Sequence, residues 1–477
     1  MENVLSTSVF KEYSSVNDDK VNAMLEEEIR KSNVKFVVLD DDPTGVQTVH
    51  DISVYTDWSV SSIKEGLTDK NKVFYIMTNS RGMTPEETTK IHREIGCNTA
   101  IASKETGVRY LFMSRSDSTL RGHYPLEPEL LKEALEEEGM RVDGEIMSPC
   151  FFEGGRFTIG NVHYVKYGDT LVPAADTEFA KDKSFGYTKS AIPEYVEEKT
   201  EGRYKAKDVI CISLEELRAM DVDGITEKLV KVEGFNKIVL NAIDYCDIKI
   251  FAIALYRAIA QGKTFMFRTA AGLVKVVGGV SDQPLLSRNQ MVKDDNAYGG
   301  IVVVGSHTAK TTAQLDELAK MDGLEIIPFD SDLVLKGSDA LNNEVDRCVA
   351  AEEAAIKSGK TAVVFTKRAL LSLEGDTKES ALQRSVKISE AVQNLVGHLS
   401  IRPAFIIAKG GITSSDVGTK ALKVKKANVL GQICLGVPVW ETGEDSKFPG
   451  MAYVIFPGNV GDEKTLRAAV EKLTNRA

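Results

Sequence analysis

The amino-acid sequence predicts an α/β protein with two domains, each a mostly parallel sheet covered by helices. Short apolar runs alternate with helical patterns in both halves of the chain, and a polar stretch at residues 281–298 separates the two series. The chain has 477 residues, of which 43% are hydrophobic, enough for two sizeable cores. We therefore predict an N-terminal domain over residues 1–280, a linker region over 281–298 and a C-terminal domain over 299–477.

The first half begins with a lead-in helix, predicted over residues 16–32 from apolar residues at helical spacing. A later helix is predicted to begin at Thr84, because Thr84 can cap it, Pro85 suits its first turn and Glu87 completes a capping box. The segment 148–190 shows neither period and is predicted to be an ordered covering loop with room for a short hairpin. Strands are predicted at 34–39, 52–55, 73–77 and 108–113, and around 209–211, 238–240 and 265–267.

The second half repeats the alternation of strand and helix, which indicates a second parallel sheet. Its strands are predicted at 301–304, 362–365, 404–407 and 452–455, and its helices near 309–320, 340–358, 381–397 and 462–474.

Polar clusters follow three predicted strands of the first half. Asp40, Asp41 and Asp42 follow the first of these strands, and the sequences Thr78-Asn79-Ser80-Arg81 and Ser114 to His123 follow the other two. Ligands of open α/β sheets bind at the carboxyl ends of the strands. Three such clusters predict one shared pocket, whereas one acidic turn alone could be simply solvated.

Glycine-rich or small-residue turns follow three predicted strands of the second half. They are Gly305-Ser306-His307-Thr308, Lys409-Gly410-Gly411-Ile412-Thr413 and Pro457-Gly458-Asn459. Paired glycines let backbone N–H groups approach an anion closely, which suits phosphate. A Gly-Gly turn by itself is as often structural, and the recurrence at three strand ends favours a nucleotide site.

The composition restricts the class of partner and the compartment. The net charge is −11 and no basic patch stands out, so a nucleic-acid partner is not expected. The six cysteines are scattered without metal-site spacing, which is typical of a reducing compartment. No secretory signal and no membrane-length apolar run is found, so we expect a cytoplasmic protein.

One alternative comes from the first acidic cluster. Asp40-Asp41-Asp42-Pro43-Thr44 fits the Asp-x-Asp-x-Thr pattern of the haloacid-dehalogenase phosphatases, in which the first Asp is a nucleophile beside Mg²⁺. That interpretation needs a later acidic pair on a strand end, which the first half lacks, and it leaves the second domain unexplained.

The motifs together resemble the four-carbon acid sugar kinase family, over roughly residues 34–470 in order. The resemblance rests on Asp41-Asp42-Pro43-Thr44-Gly45, Thr78-Asn79-Ser80-Arg81, Asp117-Ser118-Thr119-Leu120-Arg121-Gly122 and Gly410-Gly411-Ile412-Thr413-Ser414. Members phosphorylate tetronates such as threonate or erythronate with ATP. The resemblance implies an acid-sugar-binding N-terminal domain, a nucleotide-binding C-terminal domain, an active site in the cleft between them, ATP with Mg²⁺, and a possible homo-oligomer.

The resemblance also implies roles for individual residues. Asp41 and Asp42 would orient or deprotonate the acceptor hydroxyl, or one of them would hold Mg²⁺. Arg81 and Arg121 would clamp the substrate carboxylate. The remaining substrate contacts would come from Thr44, Asn79, Ser80, Ser116, Asp117 and Ser118, and the nucleotide contacts from Ser306, Gly410, Gly411, Ile412, Thr413, Gly458 and Asn459.

The residues leave several alternatives open. Each arginine could instead form an ordinary ion pair, Asp117 could cap a helix, and the whole protein could be a non-catalytic sensor of sugar acids and nucleotides. The chain also departs from the family pattern at Pro43, at Gln47 and at Ile412, which bears on the choice of substrate more than on the fold.

Overall fold

The computed structural model describes residues 4–293, 297–369, 371, 373, 375–458 and 460–474. Asp294, Asp295 and Asn296 of the predicted linker, and Asn459 of the predicted nucleotide site, lie outside this set. No helix in the described part of the chain has both the length and the apolar character needed to cross a membrane.

Strands occur throughout the chain and are numbered in chain order. They are β1 Leu5–Ser6, β2 Lys35–Asp40, β3 Ile52–Tyr55, β4 Val73–Met77, β5 Tyr110–Arg115, β6 Gly144–Ser148, β7 Arg156–Ile159, β8 Val162–Tyr167, β9 Thr170–Pro173, β10 Ile210–Ile212, β11 Asn236–Leu240, β12 Phe265–Thr269, β13 Ile301–Val304, β14 Leu324–Phe329, β15 Thr361–Thr366, β16 Ile406–Lys409, β17 Lys426–Cys434, β18 Val437–Thr442 and β19 Ala452–Phe456.

Helices alternate with these strands. They are α1 Asp18–Lys31, α2 Val60–Thr68, α3 Pro85–Thr106, α4 Leu126–Glu137, α5 Ile192–Lys199, α6 Leu214–Arg218, α7 Val222–Val230, α8 Tyr245–Ala260, α9 Ala271–Val277, α10 Arg288–Met291, α11 Ala309–Leu318, α12 Ser338–Lys357, α13 Lys378–Gly397, α14 Gly411–Asp416 and α15 Thr465–Thr474. The predicted capping box is confirmed at the start of α3, where Glu87 N–H donates to Thr84 Oγ1 at 3.2 Å and Thr84 N–H donates to Glu87 Oε2 at 2.8 Å.

The first compact unit comprises the chain up to Gly45 together with Asp57–Ser281. Its main sheet is parallel, with the order β10-β11-β6-β12-β5-β2-β4. Every residue of β2 is buried, as expected of a strand covered on both faces. Since β2 lies between β5 and β4, the segments that follow these three strands leave the same edge side by side.

The second compact unit comprises Val46–Thr56 together with the chain from Asp282 onward. Its parallel strands have the order β14-β15-β13-β16-β19, and β18, β17 and β3 extend the sheet in antiparallel pairing. The predicted fold class, two α/β domains with mostly parallel, helix-covered sheets, is therefore confirmed.

The sequence places β3 in the N-terminal domain, but the structure groups it with the second unit. The reason is pairing between distant segments: Ile52 lies opposite Val429 and Tyr55 opposite Lys426 in the β3–β17 ladder. The domain boundaries 1–280 and 299–477 stay a prediction.

The segment predicted as a covering loop contains regular structure. β7, β8 and β9 form an antiparallel meander, and β1 adds to it beside β9. The pattern of apolar runs also does not reveal β6, β14, β17 or β18. In β6 the reason is a buried ion pair, because Glu145 accepts from Lys237 Nζ at 2.6 Å and both side chains are fully buried.

We predict that Glu352 destabilises the second unit at neutral pH. This α12 residue is fully buried, and neither of its carboxylate oxygens has a hydrogen-bond partner. Burial, followed by the charge of Glu353, raises the pKa of Glu352 well above its ordinary value of 4.5. A raised folded-state pKa means that stability is lost as the pH rises above 4.5 toward the folded value. Glu352→Leu should therefore raise the free energy of unfolding by about 1–3 kcal/mol at pH 8, and by less at pH 5.

Urea unfolding at the two pH values measures this difference. Glu353→Leu is the matched control, because its carboxylate accepts from Ser400 N–H and Oγ, both at 2.6 Å, and its loss should not stabilise the protein. A Glu352→Leu protein that is less stable than wild type at pH 8 would contradict the prediction.

Candidate functional site

The three aspartates at the end of β2 lie where the parallel sheet delivers the segments after β4 and β5. Asp40 is the last residue of β2, and Asp41 N–H donates to Arg115 O at the end of β5 at 3.3 Å. Thr78 N–H after β4 donates to Asp40 O at 2.9 Å. These backbone contacts bring the three polar clusters predicted from the sequence into one network.

Arg81 is the cation at the centre of this network. Its Nη2 lies 2.5 Å from Asp41 Oδ1 and its Nε lies 3.1 Å from Asp41 Oδ2, which is a bidentate pair. Its Nη1 donates to Asp42 Oδ2 at 3.2 Å and lies 3.8 Å from Asp117 Oδ1. Arg81 therefore balances carboxylates from two strand ends at once.

Asp41 and Asp42 differ in accessibility. Asp41 is 3% exposed and also accepts a hydrogen bond from Ser116 Oγ at 2.5 Å. The Asp42 side chain is 21% exposed and accepts from Thr44 N–H at 2.8 Å and from the Thr44 hydroxyl. Burial alone would raise the pKa of Asp42, but Arg81 and the two bonds from Thr44 lower it below its ordinary value. Asp42 is thus an ionised carboxylate that a ligand could reach.

Asp40 is buried in the interior of the first unit. Its Oδ1 accepts from Arg115 Nη1 at 3.0 Å, and both side chains are almost fully buried. Gly45 covers it so closely that a Cβ there would lie 1.9 Å from Asp40 Oδ2. Burial raises the pKa of Asp40 to about 7, although Arg115 opposes the shift.

Asp117 and Arg121 form a second bidentate pair. Arg121 Nε and Nη2 donate to the two oxygens of Asp117 at 2.9 and 3.0 Å, and Asp182 Oδ2 lies 3.7 Å from Arg121 Nη1. Asp117 also accepts from Thr119 N–H at 3.1 Å, so it stabilises a turn rather than a helix start. Burial would raise the pKa of Asp117, but the charges of Arg81 and Arg121 outweigh it and lower the value.

Two buried charged residues, which the sequence prediction did not include, form hydrogen bonds with these clusters. Glu127 of α4 accepts from Ser80 Oγ at 2.5 Å and from Arg268 Nη1 at 2.6 Å. Arg268 lies in β12 and also donates to Ser114 Oγ at 2.9 Å. The available signal was an arginine inside the apolar run of β12, since a buried arginine requires a partner.

Most of the predicted substrate residues meet in this network. Contacts link Asp41, Asp42, Thr44, Arg81, Ser116, Asp117 and Arg121, and Ser80 joins them through Glu127. Ser118 makes its contact outside this network, because its carbonyl oxygen lies 2.8 Å from His163 Nε2. Asn79 adopts the left-handed conformation, with φ of 56°, directly before Ser80.

The predicted nucleotide residues of the second unit also come together. β16 lies between β13 and β19, so the turns after these strands are neighbours. The N–H groups of Gly305 and Ser306 donate to Lys409 O at 3.2 and 3.3 Å, and Gly410 N–H donates to Phe456 O at 2.9 Å.

Glycine is required where these turns touch. A Cβ at Gly305 would lie 2.2 Å from Thr413 Oγ1, and a Cβ at Gly458 would lie 2.9 Å from Ser306 Oγ. Gly410 has φ of +122° and faces Ser306 as well. Gly411 begins α14, and Ile412 is 73% exposed. The turns therefore present backbone and small side chains at one place, as a site for a phosphate chain needs.

Lys409 and Arg368 are cations at these turns that the sequence prediction did not include. Lys409 is fully buried, and its Nζ donates to Pro457 O at 2.9 Å. Arg368 donates to Ser306 O, and its Nη1 is buried without a hydrogen-bond partner. Among the described residues no carboxylate lies within ion-pair distance of either cation, which is the arrangement expected where an anionic ligand binds.

Two family models match successive parts of the chain. Residues 36–277 match a family model described as a sugar-binding N-terminal domain, and residues 301–466 match one described as a nucleotide-binding C-terminal domain. No curated protein matches the sequence.

Two of the solved structures that resemble this chain are similar to it in fold but share little sequence identity. A Haemophilus influenzae protein is 18% identical with a TM-score of 0.60, and the match covers 92% of this chain and 100% of that one. A Salmonella typhimurium LT2 protein, named provisionally as a tRNA synthase, is 16% identical with a TM-score of 0.64 and coverage of 91% and 98%. At these identities the likeness concerns the fold.

We predict that Gly122→Ala disrupts the network of carboxylates and arginines around Asp41, which we call the acidic network. Gly122 has φ of +104°, and a Cβ there would lie 2.5 Å from Ser116 Oγ, 2.7 Å from Arg268 Nη2 and 3.0 Å from Asp41 Oδ2. Gly107 also has positive φ, of +69°, but no atom lies within 4 Å of its Cβ position. Gly107→Ala should therefore cost only the backbone strain of about 1–2 kcal/mol, whereas Gly122→Ala should cost at least about 1 kcal/mol more.

Urea unfolding of both variants measures the difference. Equal losses of unfolding free energy would show that the close contacts of Gly122 carry no energy.

Proposed function

Because the chain belongs to the four-carbon acid sugar kinase family, we propose that it transfers the γ-phosphoryl group of ATP to a hydroxyl group of a small sugar acid. The observation that carries the proposal is a difference in charge between the candidate residues of the two domains. The sugar-binding domain presents an ionised, reachable carboxylate in Asp42, and the nucleotide-binding domain presents cations without carboxylate partners.

In the proposed reaction Asp42 is the group that receives a proton. The acceptor oxygen forms a bond to the γ-phosphorus, the bond from that phosphorus to the bridging β–γ oxygen breaks, and ADP leaves. The hydroxyl proton passes to Asp42, which Arg81 and Thr44 keep ionised. Asp41 is paired with Arg81 and accepts a hydrogen bond from Ser116, so we propose that its role is to position Arg81.

We place the sugar acid at the edge of the parallel sheet formed by the segments after β2, β4 and β5. Hydroxyl and carboxylate groups there can exchange hydrogen bonds with the hydroxyls of a polyol acid. The proposed contacts come from Thr44, Asn79, Ser80, Arg81, Ser116, Asp117, Ser118 and Arg121.

We place the nucleotide at the three turns of the second unit. The proposed contacts are Ser306, Gly410, Gly411, Ile412, Thr413, Gly458 and Asn459, with Lys409 and Arg368 as added cations. Positive charge and close backbone approach both favour a phosphate chain.

Magnesium enters the proposal as the ion that accompanies ATP. Among the described residues there is no cluster of three His, Cys, Asp or Glu side chains that could hold a metal ion. Mg²⁺ in phosphoryl-transfer sites, however, uses one or two carboxylates together with phosphate oxygens and water. Because Asp42 is assigned to the hydroxyl proton, we assign Mg²⁺ to phosphate oxygens and water, and the bound ion would neutralise phosphate charge.

The phosphatase alternative receives no support from the geometry of Asp40, which is the nucleophile it requires. Asp40 is paired with Arg115 and its side chain is 3% exposed, so it could not attack a phosphoester. The sensor alternative remains an outcome of the experiment below. Cytoplasmic location and a homo-oligomeric state stay predictions.

We predict that Asp42→Asn abolishes turnover and leaves ATP binding intact. The amide cannot accept the hydroxyl proton, so kcat should fall at least about 100-fold. The measurement is coupled ADP release with Mg²⁺-ATP and a panel of sugar acids, beside calorimetry of ATP binding. Asp223→Asn, whose side chain is 94% exposed, is the surface control and should be unchanged.

The outcomes separate the alternatives. Acid-dependent ADP release that survives in Asp42→Asn would remove Asp42 from the reaction. No ADP release with any acid, combined with intact binding of acid and ATP, would favour the sensor.

We also predict that the ATP affinity of the wild-type protein falls as the pH rises from 6 to 8. Burial, helped by the charges of Lys310 and Arg368, lowers the pKa of Lys409 to about 7. The protonated lysine attracts phosphate and the neutral one does not, so the dissociation constant should rise about tenfold over this range. Lys409→Met should bind ATP weakly at pH 6 and lack this lysine-dependent change, which calorimetry at both values checks. Equal pH dependence in the two proteins would contradict the assignment.

A further inference from the structure

Arg156, at the start of β7, is a partly buried cation whose hydrogen-bonding capacity is largely unused. Its Nη1 donates to Gly154 O, whereas its Nε is buried and has no hydrogen-bond partner. Within the described part of the chain no carboxylate lies within ion-pair distance of it. Burial lowers the pKa of Arg156 and thus works against its charged form, and the charge of Asp117 opposes this shift most strongly. A cation in this position is costly unless an anion joins it.

The arginines of the acidic network differ from Arg156 in this respect. Each of them contacts a carboxylate at 3.0 Å or less, and the pairs are Arg81 with Asp41, Arg115 with Asp40, Arg121 with Asp117 and Arg268 with Glu127. A bidentate guanidinium has little capacity left for a second carboxylate. The network arginines are therefore poorly suited to receive the acid group of a substrate.

Arg156 lies beside the network and is held in place. The guanidinium groups of Arg156 and Arg121 both lie over the ring of Phe179, at 5.4 and 5.2 Å from its centroid. Arg121 is itself bonded to Asp117, which Arg81 approaches. The Phe179 ring thus fixes Arg156 at the border of the proposed sugar site, with its Nε and Nη2 side not used by Gly154.

We propose that Arg156 binds the carboxylate of the sugar acid and thereby selects acids over neutral sugars. The inference rests on the proposed function for the identity of the ligand class. The carboxylate would accept hydrogen bonds from Nε and Nη2, which removes the unsatisfied donor and neutralises the buried charge. Arg81 and Arg121 then shape the hydroxyl end of the site, and Arg156 is a specificity-determining residue.

Calorimetry without ATP tests the assignment on the full chain. Erythronate and threonate are titrated into wild type, Arg156→Gln, Arg156→Lys and the control Arg203→Gln, whose side chain is 55% exposed and pairs with Glu129 at 2.8 Å. Acid affinity should fall about 10- to 100-fold in Arg156→Gln. The acid affinity should fall less in Arg156→Lys, because lysine keeps the positive charge but lacks the two parallel N–H donors of the guanidinium group. It should not fall in the control.

Two further readouts separate binding from folding. ATP affinity, which reports on the second unit, should be equal in all four proteins. The uncharged polyol erythritol should behave identically with wild type and Arg156→Gln, because it has no carboxylate. A purely structural role for Arg156 would instead weaken the polyol and the acids together.

Failure of this inference and failure of the kinase proposal give different results. If Arg156→Gln binds both acids as tightly as wild type, or if wild type binds neither, the carboxylate assignment is overturned. If acid binding depends on Arg156 but no acid supports ADP release, the assignment holds and the kinase proposal fails. If ADP release proceeds in Arg156→Gln with an unchanged KM, the kinase proposal holds and the assignment fails.

Discussion

The ion pair of Arg81 with Asp41 is the interaction on which the candidate site depends. Four aspartates meet at the edge of one parallel sheet, and unpaired carboxylates at such separations would repel one another and favour protonation. Arg81 pairs with Asp41, reaches Asp42 and approaches Asp117, while Arg115 pairs with Asp40. Removing one partner of a buried pair typically costs about 3–5 kcal/mol, so this network fixes the strand ends as well as their charge. Its consequence is an ionised Asp42 at a reachable position.

The sequence was informative where chemistry and strand pattern coincide. The strand ends at Asp40, Thr78 and Ser116 follow clear apolar runs, and parallel pairing brings them together as predicted. Strand β6 was not predicted, because the charged residue Glu145 interrupts its apolar run. The partner of Glu145, Lys237, lies on another strand, so the pattern of β6 alone does not show that this charge is compensated. Likewise, β3 pairs with a strand about 370 residues later, and no local pattern encodes such a choice of neighbour.

The partners of individual arginines could not be predicted from the sequence either. Sequence reasoning identified Arg81 and Arg121 as cations of the site but could not tell which anion each one faces. Their guanidinium groups pair with Asp41 and Asp117, whereas Arg156, from the segment predicted as a covering loop, has no carboxylate within ion-pair distance among the described residues. In the second unit Lys409 and Arg368 likewise lack carboxylate partners among the described residues. Cations without a nearby carboxylate, which sequence spacing does not reveal, mark both proposed binding regions.

Phosphorus NMR of one reaction mixture tests the central claim most directly. With Mg²⁺-ATP, the protein and erythronate or threonate, the account predicts that the γ-phosphate signal declines while a phosphomonoester signal and ADP grow in equal amounts. Growth of inorganic phosphate in place of the ester, or an unchanged spectrum across a panel of sugar acids, would contradict it.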